Sequence, residues 1–190
     1  MAAASGRNFG FVDGQNLNLG IRDLGWKVDW SRFRIHLDEH YRVGRAFYFI
    51  GYVPENQSLY TRLQNAGYTL IFKEVTYHRD GKPKGNVDAE LVLQAMIEYP
   101  HYERAVIVTG DGDFGCLVRY LYERQKLERV LSPNRRQCSD RAQKLKGHPL
   151  KTLHEGVPLP RDPDCYGTRS PRPVKSPGLP GPSPRTGTAR

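Results

Sequence analysis

Four aspartates fall where a carboxylate could do more than solvate a loop. Asp13 closes the apolar run Asn8–Val12 and opens Val12-Asp13-Gly14-Gln15-Asn16. Asp111 and Asp113 sit on Val108-Thr109-Gly110-Asp111-Gly112-Asp113-Phe114, again directly after an apolar run. Asp88 stands at the start of a helical stretch. At about 100° per residue it shares one arc with Leu91, Val92, Ala95 and Tyr99, while Glu90, Gln94 and Glu98 lie opposite. Burying an unpaired carboxylate costs several kcal/mol, so an inward Asp88 needs a cation beside it, either a lysine or a metal. Two of the other acids also have a plain alternative. Asp13 could make only an Asx-turn, with Gly14 supplying positive φ. Asp113 could be no more than the N-cap of the helix that follows, which leaves Asp111 harder to dismiss. Taken together, hard oxygen donors with no His or Cys nearby suit Mg²⁺ or Mn²⁺ and suit zinc poorly. Such ions act on phosphates as Lewis acids and activate water. Asn16 and Thr109 are placed to orient a water or a phosphate oxygen.

These residues can meet only if the elements carrying them converge. Candidate strands at Asn8–Val12, Arg45–Ile50, Thr69–Val75, Ala105–Thr109 and Arg129–Leu131 alternate with helical stretches at Ser31–Tyr41, Glu55–Ala66, Val87–Tyr99 and Phe114–Gln125. The last is the clearest, with Phe114, Leu117, Val118, Leu121 and Tyr122 at helical spacing. A further helix is expected at Ser139–Lys146. Alternation with short loops predicts an α/β fold with a mostly parallel sheet and helices on both faces. In such a sheet, sites form beyond the carboxyl ends of the strands where strand order reverses. If the first and fourth strands are neighbours, Asp13, Asp111 and Asp113 share that crevice, and the helix beginning near Asp88 roofs it.

Of the 190 residues, 29 are Lys or Arg and 20 Asp or Glu, giving a net charge of +9. Mean hydropathy is −0.64 and the pI about 9.6. No run approaches the ~18 apolar residues of a spanning helix, so no membrane role is expected. Met1–Asn8 has no apolar core and does not read as a secretory signal. Three widely spaced cysteines without a CxxC argue for a reduced, cytoplasmic protein. Residues 156–190 hold nine of the fourteen prolines, five glycines, six basic residues and two Asp. That composition predicts a disordered basic tail with a net charge of +4. The expected organisation is a flexible N-terminus at 1–7, one domain at 8–155 and the tail at 156–190. The tail is also the natural place for a protein partner or a second copy to bind.

Three blocks in order resemble the signatures of the NYN domain family, in its LabA-like branch: VDGQNL at 12–17, KGNVDAEL at 84–91 and TGDGDFGCLV at 109–118. CSDRAQKL at 138–145 resembles the family's terminal helix. The resemblance spans about residues 8–155. It implies a PIN-like three-layer sandwich with a parallel sheet of order 3-2-1-4-5. It also implies metal-dependent ribonuclease chemistry on Asp13, Asp88, Asp111 and Asp113, assisted by Asn16. One departure is Gln94, where relatives often carry another acid; helical geometry turns it away from Asp88, so the change bears on a second metal.

Basic residues near the acids fit an RNA substrate. Arg79, Lys82 and Lys84 precede Asp88, and Arg135 and Arg136 follow the fifth strand; phosphate contacts of this kind position a strand without reading its sequence. Tyr77, His78 and Tyr102 are candidates for stacking single-stranded bases. The reading is a metal-dependent endoribonuclease acting on RNA, probed against a binding module of the same fold. A haloacid-dehalogenase-type phosphatase is disfavoured because Gln15 stands where a second Asp is needed, and a dinucleotide binder because the first turn lacks GxGxxG.

Overall fold

A computed structural model describes residues 7–74, 76–77, 83–84, 87–133 and 150–152, with side chains over 7–73 and 87–133. The expected helix at Ser139–Lys146, the first six residues and the tail lie outside the described residues. The chain runs β1 (Asn8–Asp13), α1 (Gly14–Asp23), α2 (Trp30–Tyr41), β2 (Val43–Tyr52), α3 (Gln57–Asn65), β3 (Tyr68–Glu74), β4 (Thr76–Tyr77), β5 (Pro83–Lys84), α4 (Asp88–Ile97), β6 (Ala105–Val108), α5 (Gly115–Glu123), β7 (Leu127–Ser132) and β8 (Leu150–Thr152).

Six strands form one sheet in the order β3-β2-β1-β6-β7-β8, and every pairing within it is parallel. The first five follow the expected 3-2-1-4-5 order; β8 extends the edge beyond it. Strands buried on both faces need apolar side chains at every position, as Phe9–Val12 and Ala105–Val108 supply apart from Gly10. Phe9, Phe11, Ala105 and Ile107 face α4 and α5, packing with Leu91, Ala95, Leu117, Val118 and Leu121. Val12, Val106 and Val108 face the other way, toward Leu17 and Ile21 of α1, Phe33 and Leu37 of α2 and Leu63 of α3. Three layers result, with α1, α2 and α3 on one face and α4 and α5 on the other.

Besides β8, two features depart from the expectation. Residues 14–23 form a helix where a turn was expected, capped by the Asp13 carboxylate accepting the Asn16 N–H. Gly14 does not have positive φ; among the described glycines only Gly25 and Gly67 do. It is needed instead for close approach, since a Cβ there would lie 2.3 Å from the Tyr48 ring and 2.6 Å from the Phe49 carbonyl oxygen. The second addition is a short antiparallel pair, β4 with β5, ahead of α4.

Candidate active site

β1 and β6 are neighbours in register from Phe9↔Ala105 to Val12↔Val108. Chain crossovers leave β1 toward β2 on one side and arrive at β6 on the other. Between the carboxyl ends of these two strands lies the point where strand order reverses, and the acids gather there.

Asp13 is the deepest, at 5% exposure. One carboxylate oxygen accepts the Asn16 N–H at 3.0 Å, and the other accepts the Thr109 hydroxyl at 3.1 Å. Burial pushes its pKa up to about 6; those two hydrogen bonds pull the other way, and the negative charges of Asp88 and Asp111 add to the rise. Among the described residues no Lys or Arg forms an ion pair with it. Neighbouring charges that disfavour ionisation mark a place prepared for a cation or for a proton.

Asp88, Asp111 and Asp113 each offer a carboxylate oxygen, and the three oxygens lie within 4.8 Å of one another. Asp88 is the first residue of α4 and half-buried, where the helix N-terminus favours negative charge. The capping roles on the β6 loop are the reverse of the expected ones. Asp111 caps the single 3-10 turn at Gly112–Phe114 by accepting the Asp113 N–H at 3.0 Å, while Asp113 lies within the turn and is exposed. The cap therefore belongs to Asp111.

The expected polar helpers hold the acids in place. Thr109 is buried; its hydroxyl donates to Asp13 and accepts the Asp111 N–H at 3.1 Å. Asn16 accepts the Gly110 N–H at 2.6 Å through its side-chain oxygen, tying α1 to the loop that carries Asp111. A Cβ on Gly110 would come within 3.2 Å of both Asn16 Oδ1 and Ser132 Oγ, so the tie depends on glycine.

Other expected participants fall elsewhere. Arg79, Lys82, His78, Arg135 and Arg136, with the side chains of Lys84 and Tyr77, lie outside the described residues. Tyr102 is no stacking platform. It is 2% exposed, packs against Phe9 and Phe11, and donates its hydroxyl to the Ala95 carbonyl. A buried ring in three aromatic contacts, Tyr99 being the third, has no face left for a base. Gln94 donates to Glu98 at 3.2 Å, away from the acids as its helical angle predicts. Glu98 itself is buried at 8% exposure, contrary to its expected wet position, because Arg45 and His101 also contact it.

A cleft of about 1000 Å³ begins at Asp13, Asp88 and Asp111 and continues along α1 toward α3. Its far walls carry Arg22, Trp26, Lys27, Trp30 and Arg62, none of which the sequence reading singled out. The available signal was the segment Arg22–Trp30, where basic and aromatic residues alternate.

This architecture, a parallel α/β sandwich of PIN-like topology with an acidic cluster at the β1/β6 switch point, defines a class. The chain belongs to the NYN domain family, whose model matches residues 10–146. It is 26% identical over 132 residues to the Low amplitude and bright protein LabA of Synechococcus elongatus, covering 64% of this chain and 71% of that protein. A second similarity, 29% identity over 94 residues, is to the Interleukin-1 receptor accessory protein-like 1-B of Danio rerio; it covers 50% of this chain and 13% of that protein's length. In three dimensions the chain resembles a crystal structure of a protein of unknown function from Vibrio parahaemolyticus. The TM-score is 0.66 at 22% identity, covering 82% of this chain and 98% of the other. No helix among the described residues is long and apolar enough to cross a membrane.

Proposed function

We propose that the protein is a metal-dependent endoribonuclease, hydrolysing RNA phosphodiesters at the head of the cleft. The observation that carries this reading is the convergence of carboxylate oxygens from Asp88, Asp111 and Asp113 within 4.8 Å, beside a buried Asp13. Acids held this close repel one another until a cation joins them. The donors are all hard oxygens, so they fit Mg²⁺ or Mn²⁺, held by Asp88, Asp111 and Asp113 with Asp13 alongside. Such an ion, when bound, supplies Lewis acidity toward a phosphoryl oxygen and lowers the pKa of water.

The protein's own residues prepare the ground. Thr109 and Asn16 fix Asp13 and the Asp111 loop, so that the carboxylates need not reorganise as charge develops. The basic residues Arg79, Lys82, Lys84, Arg135 and Arg136 are assigned phosphate contacts, which hold a strand regardless of its sequence. The setting is cytoplasmic in this reading, and the basic tail is the segment through which a partner or second copy would bind.

Incubation of the full chain with unstructured RNA in Mg²⁺, Mn²⁺ or EDTA tests the proposal. Cleavage that EDTA and Asp111→Asn both abolish supports it, with products ending in 5′-phosphate and 3′-hydroxyl, as expected of in-line attack by water. Cyclic 2′,3′-phosphate ends would instead point to attack by the 2′-hydroxyl and overturn it. Retention of intact RNA with no dependence on metal favours the binding module.

A further inference from the structure

The far arm of the cleft contains features that the acid-centred chemistry does not use. Among the described residues Arg22, Lys27 and Arg62 form no ion pair, although the cleft lining includes all three. Arg32, Arg45, Lys73 and Arg104 are each matched to a carboxylate, whereas Arg42 and Arg119, outside the cleft, are among the described residues without an ion pair. What sets Arg22, Lys27 and Arg62 apart is that they share one concavity. Three unmatched cations around one concavity attract anions, and they lie beside the one region of the cleft that is acidic. The cleft is therefore bipolar. A phosphodiester strand suits it, with one phosphate at the acids and their metal and its neighbours on the guanidinium and ammonium groups.

The aromatic content narrows the ligand further. Both tryptophans of the chain, Trp26 and Trp30, line this arm. Trp30 is fixed edge-on against Tyr48, with ring centroids 5.4 Å apart at 83°, and serves as a wall. Trp26 is 39% exposed and, among the described residues, makes no ring contact. Its position is nevertheless set by the backbone, since its N–H donates to the Ile21 carbonyl at the end of α1. An indole held at a cleft wall among unpaired cations is the arrangement by which single-stranded nucleic acids are gripped: bases stack while phosphates are neutralised. A volume of about 1000 Å³ is at the top of the range for one small ligand, enough for a nucleotide or two and too small for a duplex.

We propose that the arm formed by Trp26, Arg22, Lys27 and Arg62 is a single-strand RNA subsite, in which Trp26 stacks on a base next to the phosphate held at the acids. The proposal deepens the ribonuclease reading and rests on it for the position of the scissile phosphate, though binding can be measured without cleavage.

Because both tryptophans line the arm, tryptophan emission, excited selectively over the eleven tyrosines, reports on it alone. The full chain in EDTA is titrated with an oligoadenylate of about six nucleotides, within the ~4–16 spanned by single-strand sites. Anisotropy of a labelled copy is followed in parallel. The expected result is saturable quenching of tryptophan emission that tracks anisotropy, with little quenching by a blunt RNA duplex. Trp26→Ala should raise Kd about thirtyfold, the middle of what one stacked base contributes. Arg62→Ala, on the exposed face of α3, should lower the salt slope by about 0.7. Binding by anisotropy without quenching, or equal quenching by the duplex, overturns the subsite. Quenching and the two variant effects with no cleavage in Mg²⁺ uphold it while the nuclease reading falls. Cleavage that Trp26→Ala and Arg62→Ala leave untouched, without quenching, upholds the nuclease and removes the subsite.

Discussion

The Thr109 hydroxyl donates to Asp13 Oδ2 at 3.1 Å, joining the ends of β1 and β6 across 96 positions of sequence. Thr109 Oγ1 in turn accepts the Asp111 N–H at 3.1 Å. One buried side chain thus sets the spacing between the deepest carboxylate and the loop bearing two others.

Thr109→Val keeps the shape and removes both hydrogen bonds. It leaves a buried carboxylate with one partner fewer and an amide without its acceptor, which should destabilise by about 2 kcal/mol, or roughly 5 °C. Thr109→Ser should restore most of the loss. The Asp13 pKa should rise further in the valine variant, because the Thr109 hydrogen bond lowers it. Thermal melts of the three proteins in EDTA check the order; a valine variant as stable as wild type would remove the bridge from the account.

Asp13 makes metal-free stability depend on pH in an unusual direction for an acid. Its folded pKa is about 6 against an ordinary 3.8. The folded state therefore binds the proton more tightly than the unfolded chain does. That contribution is fully present below about pH 4 and is lost as pH rises through 6, a change of about 3 kcal/mol. Asp13→Asn retains a capping oxygen and removes the charge. In EDTA the variant should melt higher than wild type at pH 7.5, and the gap should narrow as pH falls and close below about pH 4. Melts across that range measure it, and a gap that is constant with pH would show that the Asp13 carboxylate does not titrate there.

Asp111→Asn separates a metal site from a merely structural cluster. Asparagine can still cap the 3-10 turn, while one repelling charge is lost, so melting in EDTA should stay equal or rise slightly. At ~10 mM Mg²⁺ and an assumed affinity of about 1 mM, wild type should gain roughly 1.4 kcal/mol. For a domain of this size that is about 3–5 °C. The variant should lose most of that gain. Destabilisation in EDTA together with an undiminished response to Mg²⁺ would sink the assignment.

Gly14→Ala tests the seat of α1. Its Cβ would meet the Tyr48 ring at 2.3 Å and the Phe49 carbonyl oxygen at 2.6 Å. The ring could turn aside but the backbone oxygen cannot, so the start of α1 must lift from β2. The expected cost is about 3 kcal/mol. Mg²⁺ stabilisation should weaken as well, because Asp13 and Asn16 flank the displaced residue. An alanine variant with wild-type melting would contradict this packing.

Much of the site was legible because its signals are local. An Asp at or shortly after the end of an apolar run is carried to a strand end by covalent geometry alone, which puts Asp13 at the end of β1 and Asp111 and Asp113 on the loop after β6. Helical periodicity did the same for Asp88 at the mouth of α4. α1 was missed since Gly14, Asn16, Asn18 and Gly20 are poor helix formers and only Leu17 and Ile21 supply buried apolar side chains. It is a helix because β2 receives it and Asp13 caps it, and both conditions lie outside a reading of periodicity. Tyr102 was misjudged for a related reason: a single aromatic in a connection has no period, and only the aromatic cluster around Phe9 and Phe11 reveals it as core.

What the sequence by itself determined, then, is the set of acids and the alternation of elements that delivers them, since spacing along a chain constrains neighbours in space over a few residues. Tertiary structure alone decided which of Asp111 and Asp113 serves as the cap, how deeply Asp13 is buried and how Thr109 joins it to the β6 loop. It also decided that Arg22, Lys27 and Arg62 share one cleft with those acids. Contacts between separate elements depend on how the helices pack across the sheet, and no local pattern of charge or hydropathy encodes which cation will face which carboxylate.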